Sequence, residues 1–345
     1  MAEMMDAIVY TGIGKYEFKQ IPKARIEKPD EVLLKVEAAS ICGTDVHILN
    51  VPPEFPAATG IALGHEFVGE IIEIGSKVTA FKAGDRVTMD PNIPCGNCYL
   101  CKYGHPNLCK NMYVLGTTVN GFFAQYAAAP EKALAKISKK IPAHIAVYAE
   151  PLTCVMGGVD KSRLLPGETA LVLGAGPIGI YFASLYKANG AAKVIISEVS
   201  EYRIAKAKEC GINFVINPNE EDLYEAVLKE TDGKGADIVT DAIGTQLTSA
   251  IQCVRPRGRI ILFGANSNAK QTISQFDILY KELSIFGNYI GPFRLLDAIR
   301  VLETGIITDT LEKLVTHKLP LRDFGIGLDA MRKGEAMEVV LYPFM

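Results

Sequence analysis

The chain has no surplus of basic residues, no long run of like charge, no internal repeat and no low-complexity tract. Its 36 Lys and Arg against 39 Asp and Glu leave a net charge of −3 and a pI near 6.0. A surface that attracts phosphate backbones or anionic lipid needs a positive excess, so neither nucleic acid nor membrane is an expected partner. The opening MAEMMDAIVY carries two acids and no basic region, which is not the form of a secretory leader. Ala170 to Tyr186 is uncharged over seventeen residues, but Gly174, Gly176, Pro177 and Gly179 interrupt it and it is short of a membrane span. A buried strand, a glycine turn and a helix account for it better. Cysteine is sparse too, eight in 345 residues. A chain of this length, 49% apolar, can bury two cores without staples, so a cytoplasmic protein of two domains is expected.

Half of those cysteines crowd into fifteen residues. Cys95, Cys98, Cys101 and Cys109 are spaced C-x2-C-x2-C-x7-C, which lets four thiolates surround one ion tetrahedrally, as in a closed structural zinc site. An iron–sulfur cluster would continue x3-C-P after the third cysteine, and that position is His105, followed by Pro106. A disulfide framework does not suit a large intracellular enzyme.

Up to about residue 150 the chain reads as short strands bounded by Gly, Pro or Asp, such as Glu31 to Val36 and Val68 to Ile74. From Pro166 the texture changes. Apolar runs at 170–173, 193–196, 213–217, 237–240, 259–263 and 283–286 alternate with helical stretches at 178–189, 202–210 and 223–231. Six strands with crossover helices predict a doubly wound parallel sheet, a Rossmann-type α/β domain. The helical segment Leu295 to Thr304 and the terminal run Val339 to Tyr342 read as a return to the first domain.

Gly174-Ala-Gly176-Pro177-Ile178-Gly179 follows an apolar strand and opens a helix. In that context the first glycine makes the turn and the second lets backbone amides approach a pyrophosphate. The third lets the helix pack closely on the sheet, and the anion sits at the helix N-terminus. Glu198 ends the next strand nineteen residues after Gly179, where a carboxylate hydrogen-bonds ribose hydroxyls and repels a 2′-phosphate, so NAD is expected over NADP. Arg203 lies near the same edge and leaves some room for NADP.

A second donor set is Cys42-Gly-Thr44-Asp45-Val-His47 with Gly64-His65-Glu66. Followed by Gly84-Asp85-Arg86-Val87, the cysteine lobe, the glycine motif and the terminal strand, these segments resemble the zinc-dependent medium-chain dehydrogenases over nearly the whole chain. The resemblance implies a mostly-β, GroES-like catalytic domain at 1–152 and 293–345, and a Rossmann domain at 153–292 binding NAD. It also implies two zinc ions per subunit, one structural and one catalytic. Around Glu150-Pro151-Leu152 the chain looks like the polyol (sorbitol- and xylitol-type) branch, in which the catalytic ion is held by residues matching Cys42, His65 and Glu150, with Glu66 adjacent. Cys154, one helical turn after Glu150, is a local rival ligand. Thr44 and His47 match the family's proton relay, and Asp45 a carboxylate orienting a ligand imidazole. The chemistry implied is acidification of a secondary alcohol by zinc and hydride transfer to the nicotinamide.

A polyol substrate, free or phosphorylated, is therefore expected. L-Threonine dehydrogenase is the alternative, its relatives sharing the Cys42 and His65 segments but usually placing aspartate before the proline of Glu150-Pro151. A general secondary-alcohol dehydrogenase comes after both. The arginine that sorbitol-type relatives carry after the sixth strand is missing from Gly287 to Phe293, with Arg294 the nearest substitute. Glu338 stands where relatives often place a base, and Lys333 could compensate. The family resemblance suggests a homotetramer or a dimer, with 283–288 extending a sheet between subunits.

Overall fold

The computed structural model describes residues 3–345. It divides into Met1–Thr153 with Leu295–Thr304 and Val315–Met345, and Cys154–Arg294 with Gly305–Leu314. The first division falls inside the helix Ala149–Ser162.

The first unit is mostly β. Strands Val315–Pro320, Glu338–Tyr342, Glu31–Ser40, Glu66–Ile74, Arg86–Met89 and Leu134–Lys136 are hydrogen-bonded in that order, and Tyr126–Pro130 pairs beside Glu31–Ser40. The terminal strand thus lies against Glu31–Ser40, about three hundred residues earlier in the chain. Register decides what each face carries, because successive side chains point to opposite sides of a strand. Ala39 opposes Phe67 and Leu341, and all three belong to the buried apolar cluster. Phe67 stacks there on Phe122 with ring centres 3.9 Å apart. Burying each such ring contributes about 2–3 kcal/mol. One residue out of phase, Ser40 opposes Glu66 and Val340 on the other face. The core residues therefore fix the register that lays Glu66 beside Ser40.

The second unit is a six-stranded parallel sheet. Its order is Phe214–Ile216, Lys193–Ser197, Thr169–Leu173, Ala236–Asp241, Val254–Leu262, Ser284–Gly287. In chain order this is 3-2-1-4-5-6, the Rossmann arrangement, whose switch point lies between the first and fourth strands. Helices Pro177–Ala188, Glu201–Glu209 and Leu223–Glu230 make crossovers where the apolar periodicity places them, and Leu247–Cys253 and Gln275–Tyr280 add two that it did not mark. Residues 305–314, expected in the catalytic domain, pack instead in this unit. Leu311 and Leu314 are fully buried, and Lys206 Nζ donates to the carbonyl of Lys313 at 3.3 Å. The helix Thr308–Leu314 is apolar on the side that meets Glu201–Glu209, and nothing in its local sequence says which domain that side serves.

Candidate functional site

Cys42 is the N-cap of the helix Gly43–Ile48, and its amide donates to Asp45 Oδ2 at 3.0 Å. Ahead of His65, Gly64 adopts φ +93°, and a Cβ there would lie 2.7 Å from the Phe123 backbone nitrogen. Gly116 and Gly121 crowd the Gly64 carbonyl from the far side, each leaving only 2.1 Å for a Cβ. Only glycine fits these positions, and together they pin the turn that delivers His65 and Glu66. Cys42, His65 and Glu66 then offer ligand atoms within 4.8 Å of one another. Asp45, fully buried, holds Oδ1 3.6 Å from Nδ1 of His65. At that distance, longer than a hydrogen bond, the carboxylate faces the ring without bonding to it.

The electrostatics of this pocket call for a cation. Burial, then the neighbouring Glu66, Asp45 and Glu150, push the Cys42 thiol well above its ordinary range. Burial raises Asp45 and Glu66 as well, with His65 pulling against it in both. A half-buried thiol among three buried carboxyl groups stays protonated at neutral pH unless a positive charge lies among them. A zinc ion fits that donor set of sulfur, imidazole and carboxylate. Glu150 is buried in the first turn of its helix and close enough to act on Cys42, but it is not within the 4.8 Å group. Cys154 falls in the other unit.

Thr44 is half-buried on the helix that Cys42 opens, and His47 occupies the last turn of that helix. The His47 ring is part-exposed, with Nδ1 2.5 Å from Glu54 Oε2. Glu54 was not marked by the sequence, and neither was Ser40. The buried Ser40 hydroxyl donates to Glu66 Oε2. No local motif announces that contact, since only the strand register brings residues 40 and 66 together.

The cysteine lobe springs from the two-stranded ribbon Asn92–Ile93 and Tyr113–Val114. All four sulfurs lie within 4.8 Å of one another, with Cys98 at 3.5 Å from Cys101 and 3.9 Å from Cys109. A disulfide needs about 2.05 Å, and the four are free thiols. Four sulfurs at about 2.3 Å from a tetrahedral zinc would stand about 3.8 Å apart, so the lobe fits such an ion. The amides of Asn97 and Cys98 draw Cys95 down to about 6, while desolvation and the neighbouring thiols push Cys101 up to about 12. The four sulfurs cannot all ionise side by side without a cation to balance them.

In the second unit, Gly174 has φ +102°, and Gly179 leaves only 1.9 Å between a Cβ and the Gly174 carbonyl. Gly176 caps the helix, with Pro177 and Ile178 as its first two residues, and a Cβ on Gly176 would meet nothing within 4 Å. That open side is where an anion can reach the free amides. Glu198 is buried and tightly held: Oε2 accepts from Ala175 N at 2.8 Å, and Oε1 from Val199 and Ser200 N at 2.8 and 2.9 Å. Its charge is thus fixed at the glycine turn by three amides. Arg203 is half-buried in the first turn of Glu201–Glu209. Asp241, which the sequence reading passed over, accepts amides from Ile243, Gly244 and Gln246 at 2.7–3.0 Å and shapes the loop beside the switch point. The pattern of an aspartate ending an apolar strand three residues before a glycine could have marked it. Arg294 does not extend a substrate pocket, because its guanidinium pairs with Asp160 at 2.7 Å at the foot of Leu295–Thr304.

Two family models match the chain: alcohol dehydrogenase GroES-like domain over residues 28–139 and zinc-binding dehydrogenase over 177–303. An L-threonine 3-dehydrogenase of Caldanaerobacter subterraneus subsp. tengcongensis is 36% identical, covering 98% of this chain and 100% of its own. A D-altritol 5-dehydrogenase of Agrobacterium fabrum is 33% identical over 92% of this chain and 94% of its own. Among solved structures, a zinc-binding dehydrogenase from Sinorhizobium meliloti 1021 bound to NADP superposes with a TM-score of 0.93 at 31% identity, covering 99% and 100% of the two chains. Among the described residues, no helix is long and apolar enough to cross a membrane.

Proposed function

We propose that this chain, which belongs to the zinc-dependent medium-chain dehydrogenases and is an oxidoreductase of the zinc-containing alcohol dehydrogenase type, oxidises the secondary hydroxyl of a small polar substrate with NAD. The observation that carries the reaction type is the convergence of Cys42, His65 and Glu66 donor atoms on a glycine-locked turn, with Glu150 acting on the same thiol. Cys42, His65 and Glu150 would hold the catalytic zinc with Glu66 beside them, and the four lobe cysteines a structural one. When bound, the catalytic ion supplies Lewis acidity to the substrate hydroxyl.

The protein's own groups do the rest. Asp45 faces the His65 ring. The Ser40 hydroxyl holds one oxygen of Glu66. Thr44 and His47, three apart on one helix face, carry the hydroxyl proton outward, and Glu54 beside His47 can receive it. The fixed charge of Glu198 supports NAD over NADP, since a 2′-phosphate would meet a carboxylate that three amides keep in place. NADP in the S. meliloti neighbour belongs to that protein.

For the substrate, the 3-hydroxyl of L-threonine comes first. The polyol preference drawn from Glu150-Pro151 yields to the full-length likeness to a threonine dehydrogenase. Polyols stand second, supported by the altritol dehydrogenase. The missing arginine after the sixth strand, with Arg294 committed to Asp160, also weakens the polyol reading. A homotetramer or dimer would use the open sheet edge at Ser284–Gly287.

NADH formation against L-threonine, polyols, their phosphates and butane-2,3-diol tests the proposal, each with and without zinc chelation. Zinc-dependent turnover of L-threonine above all others is expected. Turnover of polyols alone would restore the polyol reading, and turnover that survives loss of both zinc ions would sink the mechanism.

A further inference from the structure

The sixth strand of the parallel sheet, Ser284–Gly287, runs on into a segment fastened at both ends to one helix, Ala149–Ser162. At the near end Lys161 Nζ donates to the Gly287 carbonyl at 2.8 Å, and Asn288 Nδ2 to the Cys154 carbonyl at 3.3 Å. At the far end the Arg294 guanidinium pairs with Asp160 at 2.7 Å. Between these anchors the chain lies so close to the helix that a Cβ on Gly157 would stand 3.0 Å from Gly291 Cα and 3.2 Å from the Ile290 carbonyl oxygen. Its two aromatic side chains are left in solvent, Tyr289 54% and Phe293 76% exposed.

The backbone between the anchors is strained. Residues 291–294 form a turn, closed by the Arg294 amide on the Gly291 carbonyl at 3.2 Å, with Pro292 in its second position. Phe293, in the third, has φ +63°, a left-handed value that proline-led turns reserve for glycine or asparagine. Ile290 has φ +58°, rarer still for a β-branched residue. The amide oxygen of Asn288 is a third sign, buried and without a hydrogen-bond partner among the described residues. Left-handed backbone under such side chains persists only where the surroundings impose it, and it collects at places that change shape.

The segment starts at the carboxyl end of the sheet, where a doubly wound fold receives its dinucleotide. Resting on the nucleotide reading above, we infer that residues 288–293 form a strained strap that relaxes when a nicotinamide nucleotide occupies that end of the sheet. Ile290 and Phe293 then return to negative φ, Asn288 Oδ1 gains a partner, and the released strain adds to the affinity for the nucleotide. A ligand moves a segment between two forms only by binding one of them better. A substitution that removes the strain beforehand therefore stabilises the free protein and weakens nucleotide binding.

Thermal melting and calorimetric titration with NADH, both on the zinc-loaded full chain, test it. Asparagine tolerates left-handed φ, and Phe293 is too exposed for its loss to cost much packing. Phe293→Asn should melt about 2–4 °C above the parent without nucleotide and bind NADH about tenfold more weakly. Ile290→Asn should weaken NADH in the same way. Phe293→Ala, which removes the ring but keeps a strained residue, should stay close to the parent in both measurements. The strap is overturned if Phe293→Asn melts no higher, or if it melts higher with NADH affinity unchanged. It is overturned too if Phe293→Ala loses as much affinity as Phe293→Asn, because the ring and not the backbone would then matter. A parent protein that binds neither NADH nor NADPH sinks the nucleotide reading and the strap with it, whereas the other three results leave that reading standing.

Discussion

The two sulfur-bearing sites of the first unit are built on opposite plans. The lobe takes four like donors from fifteen consecutive residues, and its sulfurs all lie within 4.8 Å of one another, three of the cysteines half-buried. The other cluster takes unlike donors from residues 42, 65 and 66, with His65 and Glu66 buried, and Glu150 buried nearby. In the lobe, backbone amides stabilise the Cys95 thiolate. In the pocket, burial and three carboxyl groups keep Cys42 protonated. A site made from neighbours in sequence needs only a short loop to form. A site made across a sheet exists only when the register is right, and it can bury charge that a local loop cannot.

Breaking the buried site has the largest expected effect. Cys42→Ala should lower kcat by about 10³-fold or more, since the Lewis acid is worth several kcal/mol. Metal analysis should find one zinc per chain instead of two, with little change in melting temperature. An unchanged zinc count would remove Cys42 from the ligand set. Breaking the lobe should do the converse. Cys98→Ser should lower the melting temperature by about 10 °C through loss of a metal-coupled fold, while turnover per folded molecule at low temperature is largely kept. If activity and stability fall together in both variants, the division of labour between the sites is wrong.

Smaller changes sharpen the contrast. Ser40→Ala frees Glu66 and should reduce kcat/KM by about tenfold, roughly one charged hydrogen bond, with recovery in Ser40→Thr. A cobalt-substituted sample should show the altered ligand field independently of turnover. Glu198→Gln should narrow the preference for NAD over NADP by about tenfold, read from the ratio of kcat/KM values.

The least energetic test concerns pH in metal-free protein. The folded-state pKa of Cys95, near 6, is below its ordinary 9.0. Its ionisation therefore adds stability that is complete above pH 9 and is lost as pH falls through about 6. Cys42, shifted upward, has the opposite sign and disfavours the folded state at high pH. Alkylation at pH 7 followed by peptide mapping should mark Cys95 well before Cys42, and the reverse order would contradict the charge balance described for both sites.

Much of this was legible in the chain because it depends on short spacings. The lobe, the glycine turn and Glu198 are local motifs whose geometry follows from a few backbone dihedrals. The six parallel strands appear as apolar runs because a strand covered on both faces has no polar side to show. The segment 305–314 was misassigned because an amphipathic helix announces that it has a partner without saying which. Ser40 and Glu54 were invisible as functional residues because serine and glutamate are common, and their meaning lies in what the fold sets beside them. Arg294 looked available until Asp160 was found to hold it.

What the sequence by itself determined is therefore the inventory: four thiols spaced for one ion, a turn that only glycine can make, and an acid at the end of the second strand. Each is settled within fifteen to twenty-five residues, where chain stiffness leaves few alternatives. The tertiary structure alone decided that Ser40 faces Glu66, that Asp45 stands behind His65, and that Glu150 reaches the field of Cys42. The first of those pairings is fixed by the packing of Phe67, Ala39 and Leu341 into one core, because the apolar face locks the register and the polar face follows it.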